Sequence, residues 1–287
     1  EPSPTLCVTF FTCKGTGVAG TADLQHTYSS AVLYLDAQAL PYELVWLDNG
    51  GAKDEHDSFI ARGAQFEAHP RNPSNEGLFR AVNDVWFRDR GCRSGVPYVM
   101  SLEDDRITRP DLLMPPQLGR VRHLALALEV LQQDSIVAGV RLKDEWSDEP
   151  IARAAATELH LVDAQLPMRD VPSGRVRYAL HCMALSSGFV WGSFSMAAVV
   201  YDRERLRKAV GLLMEGSPHD AMSYDYAEGQ YAVRVGLAGL CTARPLLHDA
   251  CTTLDMDNTP ITNHTALLSP ANGRPCHQVF IETRAPR

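Results

Sequence analysis

The apolar run that ends in three acidic residues, PYVMSLEDDRI at residues 97–107, predicts the centre of the fold. Its first half is short, continuous and apolar, which is typical of a strand buried in a sheet that is covered on both faces. Glu103, Asp104 and Asp105 follow directly. Ligands of open α/β sheets bind outside the carboxyl ends of the strands, and carboxylates at that edge can hold a hard cation such as Mg²⁺ or Mn²⁺. A solvated acidic turn is the alternative, so the meaning of this stretch depends on the rest of the chain.

Strand-like and helix-like patterns alternate on both sides of this run. That alternation predicts an α/β fold with a mostly parallel sheet flanked by helices, in one domain over residues 1–287. Residues 141–187 lose the alternation and predict a smaller antiparallel addition beside the site. The predicted strands are residues 6–11, 42–47, 64–68, 97–102 and 135–140, and the predicted helices are residues 22–39, 54–61, 76–90, 118–133, 203–210 and 226–238.

The overall charge argues against a general nucleic-acid or membrane-surface function. The formal net charge is −8 and the pI is near 5.7, whereas such surfaces are bound by basic proteins. The longest fairly apolar run, residues 184–201, contains serines and glycines and favours buried strands over a membrane span. Because the sequence opens on EPSP, like the cut end of a linker, we expect any membrane attachment to come through a segment outside it.

The cysteines and one glycosylation motif favour a secretory lumen such as the Golgi, with the cytoplasm as the alternative. There are seven cysteines and no CxxC pair, so most are expected to be small buried residues. One or two disulfides are expected among Cys241, Cys251 and Cys276 if the chain is secreted. Asn263 and Thr265 form the single N-x-T motif.

In chain order, five stretches resemble the GT-A glycosyltransferases, particularly the large glycosyltransferase family 2. Each is weak alone, but their shared order is fairly specific. The resemblance implies a GT-A, Rossmann-like fold, with a donor-binding half near residues 6–140 and an acceptor-binding half near residues 141–287. It also implies metal-dependent transfer of a sugar from a nucleotide-diphosphate sugar, with UDP-sugar favoured, to a hydroxyl of a glycan, protein or small molecule, with inversion. The stretches are the first strand and helix leading to YELVWLDNGG (42–51), NEGLFRAVN (75–83), SLEDD (101–105), WGSFSMAAVVYDRERLRKAVG (191–211) and EGQYAVRVGLAG (228–239).

SLEDD stands where the family has its D-x-D metal motif, with Glu103 and Asp105 at the outer positions. The resemblance therefore implies Mn²⁺ or Mg²⁺ held by Asp105, with Glu103 assisting directly or through water. Asp104 would lie near the ribose or sugar hydroxyls of the donor. His248 is implied as a third ligand, and Asp249 competes for that role. Glu103 departs from the family's Asp at the first position.

The donor pocket implied by the resemblance lies at the ends of the first two strands. Asp48 would accept from the N–H of the base and Thr12 would line the same pocket. Asn75 and Gly77 match the N-x-G-x-x-x-A-x-N helix start, and Arg80 on that helix could reach the base or the phosphates. Taken alone, Asp48 also suits a turn after a strand, and Arg80 a solvent-facing helix position.

The last stretch implies the general base. Counting back from Arg234, Glu228 occupies the position of the family's catalytic Asp, one methylene longer, and Asp225 one turn earlier is an alternative. Trp191 and Gly192 would form a wall of the acceptor site because aromatic faces pack on sugar rings, although Trp191 suits the core equally.

Two other functions stay open at this point. A sugar-1-phosphate nucleotidyltransferase also binds nucleotides on an α/β sheet, but it should carry a glycine-rich basic loop after the first strand, where Lys14 alone is basic. A catalytically silent carbohydrate- or nucleotide-binding domain stays an alternative because of the Glu-for-Asp changes in both acidic motifs.

Overall fold

Strands from both halves of the sequence form one nine-stranded sheet in the order β3-β2-β1-β4-β9-β6-β10-β8-β7. The computed structural model describes residues 3–13, 21–50, 53–74, 78–88, 90–103, 106–108, 123–142, 169–170, 177–182, 194, 199–211, 227–245 and 253–255. The strands are β1 Leu6–Cys13, β2 Tyr42–Asn49, β3 Arg71–Asn72, β4 Tyr98–Glu103, β5 Arg106–Thr108, β6 Val137–Arg141, β7 Arg169–Asp170, β8 Arg177–Cys182, β9 Val199–Asp202, β10 Cys241–Pro245 and β11 Thr253–Asp255. The helices are α1 Thr21–Gln38, α2 Lys53–Ala61, α3 Leu78–Val82, α4 His123–Gln133, α5 Arg203–Val210 and α6 Ala227–Leu237, with a π-helical turn, Asn83–Phe87, directly after α3.

The sheet is mixed but mostly parallel, and the α/β fold class is confirmed. Following the pairings across the sheet, β8 and β9 run against the other seven strands. The architecture is compatible with a Rossmann-like fold. The antiparallel β9 lies between β4 and β6, a position that the sequence pattern did not predict. β5 pairs with β11 in a separate two-stranded sheet.

Helices cover both faces of the sheet, so each face has its own core. On the first face, α4 buries Leu124, Leu128 and Leu131 at helical spacing, together with residues of α1. On the second face, α3, the π-helical turn, α5 and α6 cover the sheet. The second core includes Trp86, Phe194, Tyr201 and Tyr231. Successive apolar residues of β1, β2 and β4 therefore enter the two cores alternately, which explains their continuous apolar runs.

The strand predicted at residues 64–68 is wrong. Only Ala68 makes a bridge there, with Val45, and the third strand is Arg71–Asn72. The apolar alternation that indicated a strand has another cause. Phe66 packs from a non-strand segment into an aromatic cluster with Tyr28 and Trp46.

The helix predicted at residues 76–90 ends earlier than expected. Its described part changes from α3 to a π-helical turn that stops at Phe87, and the next residue, Arg88, is extended. Gly91 then packs on Val85, where a Cβ atom on Gly91 would lie 2.7 Å from the valine side chain. The chain folds back on the helix end, and the amide of Cys92 donates to the carbonyl of Val85 at 2.9 Å.

Two disulfides join Cys7 to Cys92 and Cys182 to Cys241. The expected pairing among Cys241, Cys251 and Cys276 is wrong for Cys241, which lies beside Cys182 because β10 and β8 are paired. Disulfides form and persist in oxidising compartments, so the pair weakly favours an environment outside the cytosol. Within the described ranges, no helix has the length and apolar character needed to span a bilayer.

Candidate functional site

Three of the predicted site residues lie at the carboxyl edge of the sheet. In the strand register Thr12 is opposite Asp48, and the neighbouring Phe11 is opposite Glu103. These positions belong to β1, β2 and β4, which are parallel neighbours. The strand order also reverses between β1 and β4. Such a reversal marks where open α/β sheets bind ligands.

Asp48 is buried at this edge and forms an ion pair. The Oδ2 atom of Asp48 lies 3.2 Å from Nε of Arg71, and the two residues are opposite each other in β2 and β3. Only 3% of the Asp48 side chain is exposed, against 29% for Arg71. The edge therefore presents an oxygen acceptor beside a guanidinium donor. Sequence reasoning missed Arg71 because its position depends on a strand that was predicted elsewhere.

Thr12 is held in place by an aromatic residue of the next strand. The Trp46 Nε1–H donates to Thr12 Oγ1 at 3.1 Å. The ring of His56, from the beginning of α2, stacks on Trp46 with centroids 4.4 Å apart and an interplanar angle of 18°. Stacked and edge-on rings of this kind pack rigidly. The first face of the edge thus has a firm wall of Thr12, Trp46 and His56.

On the second face, amide side chains link the strand ends. Asn72 donates to Asn49 Oδ1 at 2.9 Å, and Arg90 donates to Asn72 Oδ1 at 3.2 Å. Arg90 also contacts the buried carboxylate of Asp84 at 2.8 Å, as does Arg88. The network ties the π-helical turn to the ends of β2 and β3.

Helix α6 begins toward the carboxyl edge of the sheet, and its first turn carries the predicted base. Glu228 is the second residue of α6. Because β10, which follows α6, starts at the amino edge beside Val137, the first turn of α6 lies toward the carboxyl edge. The Tyr231 hydroxyl donates to Asn83 Oδ1 at 3.1 Å in the buried second core. Phe194 stacks on Tyr231 and on Tyr201.

A buried arginine that sequence reasoning also missed ends β6 in the carboxyl half of the sheet. Arg141 is 2% exposed, and its Nε donates to Thr242 Oγ1 at 3.1 Å. A basic residue at the end of an apolar strand, VAGVR, was the available signal.

The remaining predicted residues are not brought together by the described ranges. Arg80 is exposed on α3. Arg203, from the stretch at residues 191–211, lies at the amino edge, because β9 is antiparallel and Asp202 pairs with Tyr98. For Glu103 and Glu228 the structure describes the position of the backbone. Asp104, Asp105, Asn75, Gly77, Trp191, Gly192, His248, Asp225 and Asp249 lie outside the described residues.

For a metal, the described residues hold one ligand group, Cys7, Glu43 and Cys92. It lies at the amino edge, away from Glu103, and its two sulfurs do not suit Mn²⁺ or Mg²⁺, which prefer oxygen. Glu103 ends β4 at the carboxyl edge, and its backbone position there suits an oxygen ligand for those ions.

Comparison with known proteins places the chain in no family. No protein-family model matches the sequence, and no curated protein matches it.

Proposed function

We propose that this protein is a metal-dependent GT-A glycosyltransferase that transfers a sugar from a nucleotide-diphosphate sugar to an acceptor hydroxyl with inversion. One observation carries the proposal. Parallel β1, β2 and β4 bring Thr12, Asp48 and Glu103 to one sheet edge, where the strand order reverses. Those residues come from separate stretches that resemble family 2.

In this proposal, the ends of β1 and β2 bind the nucleoside. Asp48 accepts from the N–H of the base, and Arg71 beside it donates to a neighbouring carbonyl or ring nitrogen. The 3.2 Å spacing of the pair suits adjacent polar atoms of a base. Thr12 lines the pocket and is fixed by Trp46. A UDP-sugar is the favoured donor.

Glu103 and Asp105 hold the divalent cation in this proposal, with Asp104 near the sugar and His248 as a further ligand. Mn²⁺ or Mg²⁺, when bound, acts as a Lewis acid that neutralises charge developing on the leaving diphosphate. The run of carboxylates directly after β4 supplies hard oxygen atoms at the edge that also carries Asp48.

Glu228 is proposed as the general base that removes the proton of the acceptor hydroxyl. The first turn of α6 lies toward the carboxyl edge, and the buried Tyr231–Asn83 hydrogen bond joins two of the family-like stretches. Inversion needs one base on the face of the sugar opposite the leaving group. Trp191 and Gly192 are proposed for the acceptor wall. The secretory lumen, such as the Golgi, is proposed as the location, supported by the two disulfides.

A donor panel is the first experiment. The protein is incubated with UDP-, GDP-, CDP-, ADP- and TDP-sugars and Mn²⁺ in the presence of mixed acceptors. Release of nucleoside diphosphate supports a glycosyltransferase. Exchange of pyrophosphate into the donor identifies a nucleotidyltransferase, and tight binding with neither reaction identifies a silent binding domain.

The metal assignment is tested by Asp105→Ala. We expect Mn²⁺-dependent nucleotide binding, measured by calorimetry, to be lost while the fold is kept. Asp36→Ala, an exposed carboxylate at the far end of α1, is the control and should bind normally. Unchanged affinity in Asp105→Ala refutes the assignment. For His248→Ala we expect a loss of metal affinity of about 10–100-fold or more.

The base assignment is tested by Glu228→Gln. Glutamine keeps the shape but accepts no proton, so kcat should fall by about 10²–10⁴-fold while nucleotide affinity stays nearly unchanged. Near-normal turnover, or a product that keeps the anomeric configuration of the donor, contradicts the assignment.

A further inference from the structure

The buried group at the amino edge has the composition of a second, unrelated metal site. Cys7 on β1 and Glu43 on β2 are opposite each other in the strand register, and Cys92 lies over them. The two sulfurs and a carboxylate oxygen of Glu43 all lie within 4.8 Å of one another. The exposed fractions of the three residues are 0%, 5% and 2%.

The two oxygens of the Glu43 carboxylate have different partners, a hydrogen bond for one and an ion pair for the other. The backbone amide of Arg93 donates to Oε1 at 2.8 Å. Oε2 is buried and accepts no hydrogen bond, with the Arg93 Nε 3.3 Å away. The second oxygen is therefore held by an ion pair alone, and it lies beside the two sulfurs. A hydrogen bond to one carboxylate oxygen is also how proteins orient a metal ligand.

We propose that, when the Cys7–Cys92 bond is reduced, Cys7, Cys92 and Glu43 bind one soft divalent cation, Zn²⁺ or its analogue Cd²⁺. Two thiolates and a carboxylate are ligands typical of zinc, at Zn–S and Zn–O distances of about 2.3 and 2.1 Å. A tetrahedral site spaces its ligand atoms about 3.4–3.8 Å apart. In the present arrangement the three ligand atoms lie within 4.8 Å of one another, and cleavage of the S–S bond allows the two sulfurs to move apart to that spacing.

The charges near the site are compatible with this proposal. Three anionic ligands and a divalent cation leave one negative charge, which the guanidinium of Arg93 can balance. Glu67, which also pairs with Arg93, adds a further negative charge nearby. Residues 93–95 next to Cys92 are exposed, so a cation has a short route in.

The disulfide and the metal-bound form exclude each other. A phosphine reductant cleaves the S–S bond, takes oxygen from water to become the phosphine oxide and leaves two thiols. The cation then binds with release of both thiol protons. Reoxidation requires loss of the cation. The inference is independent of the proposed transferase activity.

The test is a Cd²⁺ titration of the full chain after phosphine reduction, in a background with Cys13, Cys251 and Cys276 replaced by serine. We expect one Cd²⁺ per chain, with the ultraviolet thiolate-to-cadmium band. Cys92→Ser should abolish the band, and Glu43→Gln should weaken binding by about 10–100-fold or more. Glu67→Gln, the matched control at an exposed acid, should bind Cd²⁺ normally. The double variant Cys182→Ser/Cys241→Ser should keep the stoichiometry, because that pair has no third ligand within the described residues.

Equal Cd²⁺ affinity in wild type and Glu43→Gln overturns the proposal, as does a reduced chain with native near-ultraviolet circular dichroism that binds no Cd²⁺. If reduction unfolds the chain, Cd²⁺ is added to the unfolded chain and refolding is followed by circular dichroism. A native spectrum that returns only with Cd²⁺, and only when Glu43 is present, supports the site. Recovery without the cation, or none at all, overturns it.

Discussion

The buried hydrogen bond between Tyr231 and Asn83 gives a sharp test of how the last helix is attached to the sheet. Tyr231→Phe removes one hydroxyl and leaves the ring, so the stack with Phe194 is kept. The hydroxyl donates to Asn83 Oδ1 at 3.1 Å, and both residues are buried. The two positions are 148 residues apart in sequence. The bond is therefore tertiary, and it joins α6 to the π-helical turn.

Loss of a buried hydrogen bond of this kind costs about 1–2 kcal/mol of unfolding free energy. For a chain of this size, that is a fall in melting temperature of about 2–8 °C. Tyr42→Phe is the matched control, since its hydroxyl donates to the exposed carboxylate of Asp36 at 2.7 Å. There we expect a change within about 0.5 kcal/mol.

The assay is urea unfolding of wild type, Tyr231→Phe, Asn83→Ala and the double variant. Because the two side chains are hydrogen-bonded to each other, the double-variant cycle should give a coupling energy of about 1 kcal/mol. A loss no larger than that of Tyr42→Phe, or single effects that add within about 0.3 kcal/mol, refutes the reasoning.

Three further stability predictions concern other contacts, each measured by urea unfolding. Gly139→Ala should lower the unfolding free energy by about 1–3 kcal/mol, because its Cβ would lie 2.4 Å from a buried tyrosine ring. Gly95 faces open space, so the control Gly95→Ala should change the unfolding free energy by at most about 0.5 kcal/mol. Asp202→Ala should cost about 1 kcal/mol, because Asp202 caps α5 by accepting from the Arg205 amide at 2.9 Å, and Asp202→Asn should lose less. Burial raises the pKa of the Glu43 carboxyl, against the opposing effect of the nearby arginine amide and guanidinium. The folded state therefore favours the protonated acid. The unfolding free energy of wild type should fall relative to that of Glu43→Gln as pH rises from the ordinary glutamate pKa through the raised one. A difference between the two that does not depend on pH contradicts this prediction.

Local patterns were enough for most elements of the fold. The helices predicted at residues 22–39 and 203–210 are confirmed as α1 and α5, and the apolar runs of β1 and β4 are confirmed as buried strands. The misplaced elements depend on distant partners. β3 exists because Arg71 and Asn72 pair with the end of β2, and no local apolar signal marks those two polar residues.

In the candidate site, too, the residues marked by local sequence patterns were predicted, and those that depend on distant contacts were missed. Thr12, Asp48 and Glu103 follow or end apolar runs, and parallel strands in sequence order bring such ends together. Arg71 and the supporting Trp46 were missed because their contacts cross between strands. Disulfide partners were likewise beyond prediction, since Cys182 meets Cys241 only through the pairing of β8 with β10.

The positions of the two disulfides bear on the order in which the chain can mature. The first closes a covalent ring from Cys7 to Cys92, and the second a ring from Cys182 to Cys241. The rings are neither nested nor interlaced, so each closes without waiting for the other. During synthesis from the amino terminus, the first ring can close once β1 has met the loop before β4, long before β8 and β10 exist. Early closure also removes two of the seven cysteines from the pool available for wrong pairing.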